Sequence, residues 1–258
     1  MTKSDNKNGI QFIKNTAIFF VGNVLSKLIS FILLPMYTTV IPTDQMGVYD
    51  VSITLTTMLL SVCYFEIWSA VLRYLYDGKS ESDKNKVLKS GFQIFSVSSV
   101  LFVLVCMIVC GFMGYRYIPL IAGYGIAYGA SSLLTFVARG LGKNKEFSLS
   151  GVLNTLIQLS LNVLLLTVFK MDYSALYISY IVGTLCQTVY LTFCTDLKTR
   201  LHEKTNKNLT IALLKYALPL CLNTVAYWVL NSSNRLVYNA LYGNAASGVY
   251  SIGNRFGS

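Results

Sequence analysis

Apolar residues in this chain are gathered in stretches of about 20 residues, separated by short polar islands. An α-helix of about 20 residues crosses the ~30 Å hydrocarbon layer of a bilayer. The stretches lack the regular polar–apolar alternation that transmembrane β-strands require. The pattern predicts seven membrane-spanning helices and the start of an eighth: Asn15–Ile41, Val51–Arg73, Ser90–Phe112, Ile118–Ala138, Leu149–Phe169, Ala175–Thr195, Leu213–Tyr238 and a segment beginning at Gly248.

Composition agrees with an all-α, polytopic membrane helical bundle. Of the 258 residues, 54% are hydrophobic and only 12% are charged, about half the charged fraction of a soluble domain. The first apolar stretch is longer than the core of a signal peptide and has no small-x-small cleavage site. We therefore expect it to remain in the membrane as an anchor.

The net charge of +10 is distributed unevenly between alternate loops. Sixteen Lys and Arg residues lie before the first span and after spans two, four and six, whereas the other connections hold three. Basic residues concentrate on the cytoplasmic side of membrane proteins, next to anionic lipids. The distribution predicts a cytoplasmic N-terminus and explains the basic character without nucleic-acid binding.

Residues suited to catalysis or metal binding are scarce. The single histidine, His202, lies in a polar loop, and no GxxxxGK[ST] nucleotide loop occurs. Cys106 and Cys110 are one helical turn apart, but their segment offers no His or carboxylate to complete a metal site. We interpret the six cysteines as apolar packing residues. The sequence predicts no catalytic residue, no metal and no cofactor, and argues against an enzyme.

Polar side chains within the first two spans are candidate ligand contacts, because such groups are costly in hydrocarbon. Lys27 lies midway along span one, one turn from Asn23, and Glu66 lies in span two with Arg73 two turns further on. Lys27 either faces a cavity and a ligand or is neutralised by Glu66. Asn23 and Glu66 are expected at similar depths.

Two further polar groups occur in later spans. Asn154, Gln158 and Asn162 share one face of span five, where they either join helices or line a path for a polyhydroxylated ligand. Arg235 closes the run Asn231–Arg235 late in span seven and serves either as an interfacial anchor or as a ligand contact. With Lys27, Asn23 and Glu66, these residues form the predicted substrate-binding set.

A short repeat relates the two ends of the chain. Gly47-Val48-Tyr49 and Gly248-Val249-Tyr250 are 201 positions apart, and the same offset aligns Tyr37 with Tyr238. Six spans separate the copies, so both enter the membrane in the same direction, as in transporters built from parallel repeats. We predict a six-helix lobe over residues 1–212 and the beginning of a second lobe over residues 213–258.

Both ends resemble one transporter family. Gly22, Ser26–Lys27, Leu34–Thr38 and Gly47–Tyr49 match the opening pattern of bacterial polysaccharide flippases of the multidrug/oligosaccharidyl-lipid/polysaccharide exporter superfamily. The stretch that contains Pro219, Arg235 and Gly248–Tyr250 is similar to the start of that family's second half.

The resemblance implies two six-helix lobes around a central cavity and alternating access. It implies export of an undecaprenyl-diphosphate-linked oligosaccharide across the bacterial plasma membrane, with Lys27 suited to the diphosphate and amides to the sugars. The implied partners are this substrate, membrane lipids and the polymerase and glycosyltransferase machinery. Because the chain contains barely 45 residues of the second lobe, we expect half of the cavity to be missing. Two alternatives are a drug/cation antiporter of the same superfamily, disfavoured because span one has no carboxylate, and an inactive or scaffolding fragment.

Overall fold

The computed structural model describes residues 39–203 and 206–257, with backbone alone for 254–257. In these ranges the regular structure is entirely helical, and six helices are long and apolar enough to cross a membrane. The predicted all-α membrane bundle is confirmed; the predicted first span lies almost wholly outside the described residues. The helices are α1 (Thr43–Tyr64), α2 (Ile67–Asp77), α3 (Glu81–Phe112), α4 (Ile118–Gly140), α5 (Asn144–Val163), α6 (Ser174–Cys194), α7 (Leu197–Arg200) and α8 (Lys207–Gly257).

Helices α3 to α6 correspond to the third to sixth predicted spans. Helix α5 ends in a π-helical turn over Leu164–Val168. Helix α3 begins at Glu81, earlier than predicted, because Ser80 caps it: the Ser80 hydroxyl accepts a hydrogen bond from the Asp83 backbone N–H at 3.1 Å. A polar first turn can therefore precede the apolar part of a span, and hydropathy alone does not detect it.

The second predicted span is two helices rather than one. Phe65 and Glu66 both have left-handed backbone conformations, with φ of 52° and 54°, and they separate α1 from α2. Such conformations cost non-glycine residues about 1–3 kcal/mol each, so surrounding contacts must hold the break. Arg73, two turns beyond Glu66 in the predicted span, lies on α2, where it pairs with Asp77 at 3.2 Å.

Helix α8 folds back on itself at Gly243. This residue has φ 77° and ψ −178°, a conformation essentially restricted to glycine. The rings of Tyr238 and Tyr250 stack with centroids 4.9 Å apart, whereas twelve residues of straight helix would separate them by about 18 Å. The predicted start of an eighth helix is thus a second arm, beginning at Asn244, that returns beside the first.

Successive loops meet at opposite ends of the bundle. At one end, which we call the basic end, Arg200 near the C-terminus of α7 contacts Glu81 at 2.6 Å, and Lys143 after α4 lies 3.8 Å from Asp196. At the opposite end, the Tyr117 hydroxyl before α4 donates to Asp172 before α6 at 2.6 Å. The loops predicted to be cytoplasmic therefore lie together.

Candidate functional site

A cavity of about 170 Å³ lies beside the break between α1 and α2. The break is at mid-height in the bundle: a Cβ on Gly129, the middle residue of α4, would lie 3.1 Å from the ring of Tyr64. Transporter sites commonly form at this depth, next to discontinuous helices. The cavity is lined by Thr57, Leu60, Ser61, Glu66, Trp68, Tyr128, Thr224, Tyr227, Trp228 and Ser232.

Glu66 joins the two predicted lobes at this cavity. Its Oε2 atom accepts a hydrogen bond from the Ser69 hydroxyl at 3.2 Å, within the first predicted lobe. Its Oε1 atom accepts one from the Thr224 hydroxyl on α8, also at 3.2 Å. Glu66 is half-buried, so its carboxylate keeps access to the cavity while both oxygens are held.

The described lining of the cavity combines one carboxylate, several hydroxyl groups and aromatic rings, and contributes no Lys or Arg. Hydroxyl and carboxylate oxygens suit a ligand rich in hydroxyl groups, and Trp and Tyr rings present flat apolar faces. A diphosphate would be repelled by Glu66, so the described lining of this cavity does not supply an anion site. The two predicted residues nearest this role, Lys27 and Asn23, lie outside the described residues.

One amide of α5, Asn154, joins this helix to α6. The Asn154 side-chain nitrogen donates to Gln187 Oε1 on α6 at 3.0 Å, and Gln158 donates to Asn154 Oδ1 at 2.7 Å. Gln187 also accepts from Ser131 on α4 at 2.9 Å. Asn162, two turns beyond Asn154, is 7% exposed. The structure thus gives Asn154 an interhelical partner, Gln187, whereas Gln158 bonds Asn154 on the same helix. Ligand binding by these amides stays a prediction.

Arg235 reaches across to the first helix of the described chain. Its Nη1 atom lies 3.0 Å from Asp50 Oδ1 on α1, and Asp50 is only 5% exposed. This pair lies closer than Glu66 to the end opposite the basic loops, because α1 runs from that end towards the break. Arg235 is not part of the described lining of the Glu66 cavity, although Ser232, one turn earlier on α8, is; ligand contact by Arg235 stays a prediction.

Three residues that make polar contacts between helices, Asp50, Gln187 and Trp228, were not identified from the sequence. Asp50 was overlooked because the second span was predicted to start at Val51, which left the carboxylate outside the membrane. Gln187 is an isolated amide in an apolar run and carries no periodic signal. Trp228 donates from Nε1 to the Thr54 carbonyl oxygen at 3.2 Å, a contact that only the packing of α8 on α1 reveals.

Four of the six cysteines, Cys63, Cys106, Cys110 and Cys221, are buried in the bundle, and Cys186 and Cys194 are half-buried. The sulfur atoms of Cys106 and Cys110 lie 3.8 Å apart inside the bundle, and every cysteine in the described ranges is unpaired. Within the same ranges, no three His, Cys, Asp or Glu side chains converge in a way that could hold a metal ion.

Six long apolar helices packed in a bundle define a multi-pass membrane protein, and a polar cavity at mid-height beside a broken helix is an arrangement common in transporters. The sequence profile of the polysaccharide biosynthesis protein family matches residues 12–258, so the chain belongs to that family. Its members are transporters rather than enzymes, with a flippase or exporter role in polysaccharide synthesis. No curated protein and no solved structure gives a significant match to the chain.

Proposed function

We propose that the protein moves an undecaprenyl-diphosphate-linked oligosaccharide repeat unit across the bacterial plasma membrane, with its N-terminus in the cytoplasm. The observation that carries the proposal is the Glu66 cavity, a polar and aromatic site at mid-height in a member of this family. The concentration of basic residues at one end supports the orientation.

The cavity chemistry supports contact with the sugar part of the substrate. Thr57, Ser61 and Thr224 offer hydroxyl groups, and Trp68 and Trp228 offer rings for the apolar faces of a sugar. A volume of 170 Å³ corresponds to about six water molecules. The cavity therefore accommodates one sugar at a time rather than a whole repeat unit.

The diphosphate requires a separate, cationic site because Glu66 disfavours it here. Lys27 is our candidate for that role, as the resemblance implies. Separate sites would place the lipid-linked phosphate and the glycan on different helices. In the absence of a nucleotide loop in this sequence, the driving force we propose is an ion gradient or consumption of the product outside the cell.

Reconstitution tests the proposal directly. The full gene product, purified into liposomes, should move a fluorescent undecaprenyl-diphosphate oligosaccharide between leaflets. Glu66→Gln should lower the rate several-fold, because a neutral amide holds hydroxyl groups less strongly than a carboxylate. Glu203→Gln, the same change at the basic end, is the matched control and should leave the rate unchanged. Absence of movement by folded wild-type protein would refute the proposal.

A cell-based experiment gives an independent test. Deletion of the gene should trap lipid-linked repeat units on the cytoplasmic side and reduce surface polysaccharide. In complemented cells, Lys27→Ala should reduce export at equal protein level. Normal surface polysaccharide in the deletion strain, with no second transporter gene of this family, would contradict the proposal.

The Glu66 carboxylate also favours one alternative, a drug/cation antiporter. A half-buried carboxylate flanked by hydroxyl groups and aromatic rings can hold an organic cation as well as a sugar. Expression in a drug-sensitive strain separates the two functions. Resistance to cationic drugs, together with normal polysaccharide in the deletion strain, would favour the antiporter.

A further inference from the structure

The two Gly-Val-Tyr copies meet each other in the folded chain. A Cβ on Gly47 would lie 1.9 Å from the carbonyl oxygen of Asn244, and a Cβ on Gly248 would lie 1.9 Å from that of Thr43. The distances from these Cβ positions to the backbone nitrogen of the opposite glycine are 3.0 and 3.1 Å. Because Thr43 and Asn244 are themselves 201 positions apart, the contact is symmetric about a local two-fold axis.

This crossing lies at the end of the bundle opposite the basic loops. Thr43 and Asn244 are exposed, whereas the glycines one turn further along each helix are buried. One turn below, Asp50 and Arg235 form their ion pair between α1 and α8. Together, residues 43–50, residues 244–251 and Arg235 connect the two predicted lobes; we call this set the closure.

The closure contains an unusual number of unsatisfied polar atoms. Asp50 Oδ2, Arg235 Nε, Gln45 Oε1, and the hydroxyls of Ser247 and Ser251 are buried and have no hydrogen-bond partner among the described residues. An unpaired buried polar atom loses its hydration without compensation, so a permanent interface would favour apolar residues here. An interface that separates to admit water satisfies these atoms in its open state.

We propose that the closure seals the translocation path on the external side and separates during each transport cycle, with the Asp50–Arg235 pair as its lock. The proposal rests on the transport function and orientation proposed above. At the glycine crossing the two helices meet backbone to backbone, with little interlocking of side chains, and Asp50–Arg235 is the ion pair that the described residues of the closure contribute. The ion pair then supplies much of the attraction that holds the closed state.

Ser247→Cys provides a nearly isosteric reporter inside the closure. Ser247 is fully buried, with 0% of its surface exposed, and adjoins Gly248. Ser179→Cys is the matched control: it is also 0% exposed, lies near the same end of the bundle, and packs inside the first predicted lobe. A membrane-impermeant thiol reagent is added outside intact cells that express the full gene product, and the parent protein gives the background from the native cysteines.

We expect the external reagent to label Ser247→Cys during transport and not Ser179→Cys. Asp50→Asn should raise the labelling rate of Ser247→Cys about tenfold, because it removes the charge that retains Arg235. Export of lipid-linked oligosaccharide is measured in the same cells, so each labelling result refers to a protein of known activity.

Three results would overturn the closure. The first is Ser247→Cys labelling as slow as Ser179→Cys, with and without Asp50→Asn, in a protein that still exports. The second is labelling from the cytoplasmic side alone, and the third is labelling that Asp50→Asn does not change. Failure of the transport proposal looks different: labelling of Ser247→Cys would respond to Asp50→Asn, but no lipid-linked oligosaccharide would move.

Discussion

The glycine crossing makes a quantitative prediction for Gly47→Ala. The added methyl carbon would lie 1.9 Å from the Asn244 carbonyl oxygen. Observed Cβ contacts essentially never fall below 3.0 Å, so α1 and the second arm of α8 must separate by about 1.1 Å at this point. The obstacle is backbone, which cannot rotate away as a flexible side chain would.

The expected cost follows from two opposing terms. Forcing an extra methyl into a packed interface costs about 1–3 kcal/mol. Replacing a helical glycine by alanine returns up to about 1 kcal/mol through helix propensity. The net loss is about 0–2 kcal/mol, nearer the upper end because the obstacle is backbone. It corresponds to a fall in melting temperature of up to roughly 8 °C for a domain of this size.

Thermal unfolding of the purified full gene product measures this effect. A dye that becomes fluorescent on reaction with thiols reports unfolding, because four of the six cysteines are buried in the native bundle. Gly151→Ala is the control: a Cβ there meets nothing within 4 Å, so the same substitution should stabilise the protein slightly.

The symmetry of the contact between Gly47 and Gly248 gives a second prediction. Gly248→Ala should destabilise the protein by the same amount as Gly47→Ala, because each Cβ meets the equivalent carbonyl oxygen of the other copy. The double variant should cost less than the sum, since one separation of the helices accommodates both methyl groups. If Gly47→Ala raises the melting temperature as Gly151→Ala does, the close crossing is not present in the native protein and the reasoning fails.

Three further substitutions test separate parts of the structure by the same melting assay. Gln187→Leu leaves the amide network without its shared acceptor and should cost about 1–3 kcal/mol; an unchanged melting temperature would show that the network is not formed. Asp50→Ala should cost somewhat less than the ~3–5 kcal/mol of a fully buried pair, because Arg235 is partly exposed. The double variant with Arg235→Ala should recover part of that loss, and no recovery would mean that the pair is not coupled. Tyr117→Phe removes a hydrogen bond to the Asp172 carboxylate. Burial raises the pKa of Asp172, but the hydrogen bonds from Ser174 and Tyr117 outweigh the effect of burial, and the pKa is lowered. A carboxyl group with a lowered pKa stabilises the folded state at pH values above its unfolded-state pKa of about 3.9. This stabilisation is lost as the pH falls through the folded-state pKa. Tyr117→Phe should therefore be destabilised at pH 7, with a smaller difference from wild type below about pH 4.

Hydropathy predicted the third to sixth spans closely because burial in hydrocarbon imposes a simple rule on composition. The break in the second span escaped prediction for a local reason. The segment Tyr64–Ile67 contains neither Gly nor Pro, so nothing in it signals a left-handed conformation. Contacts from residues far along the chain, such as Thr224 on α8, accompany the break and are absent from any local window.

The candidate site could be predicted in part. Glu66 was identifiable because a carboxylate within an apolar span needs a partner or a cavity, and the structure places it beside one. Asp50 could not be identified from the sequence, because a carboxylate at the edge of a span is ordinarily hydrated. Its burial depends on Arg235, 185 residues away, and the pairing follows from the packing of α1 on α8.

The crossing explains why glycine occurs at the same place in both copies, whereas other positions, such as Asp50 and Ser251, differ. At a two-fold crossing, each residue on the axis meets its own counterpart, so a larger side chain in either copy would push both helices apart. Positions away from the axis meet non-equivalent neighbours and can diverge. Asp50 and its counterpart Ser251 show this: both are buried, but only Asp50 faces a cation, Arg235. The contact is therefore symmetric at the glycines, which lie close to the axis, and asymmetric at the Asp50–Arg235 ion pair, which lies away from it.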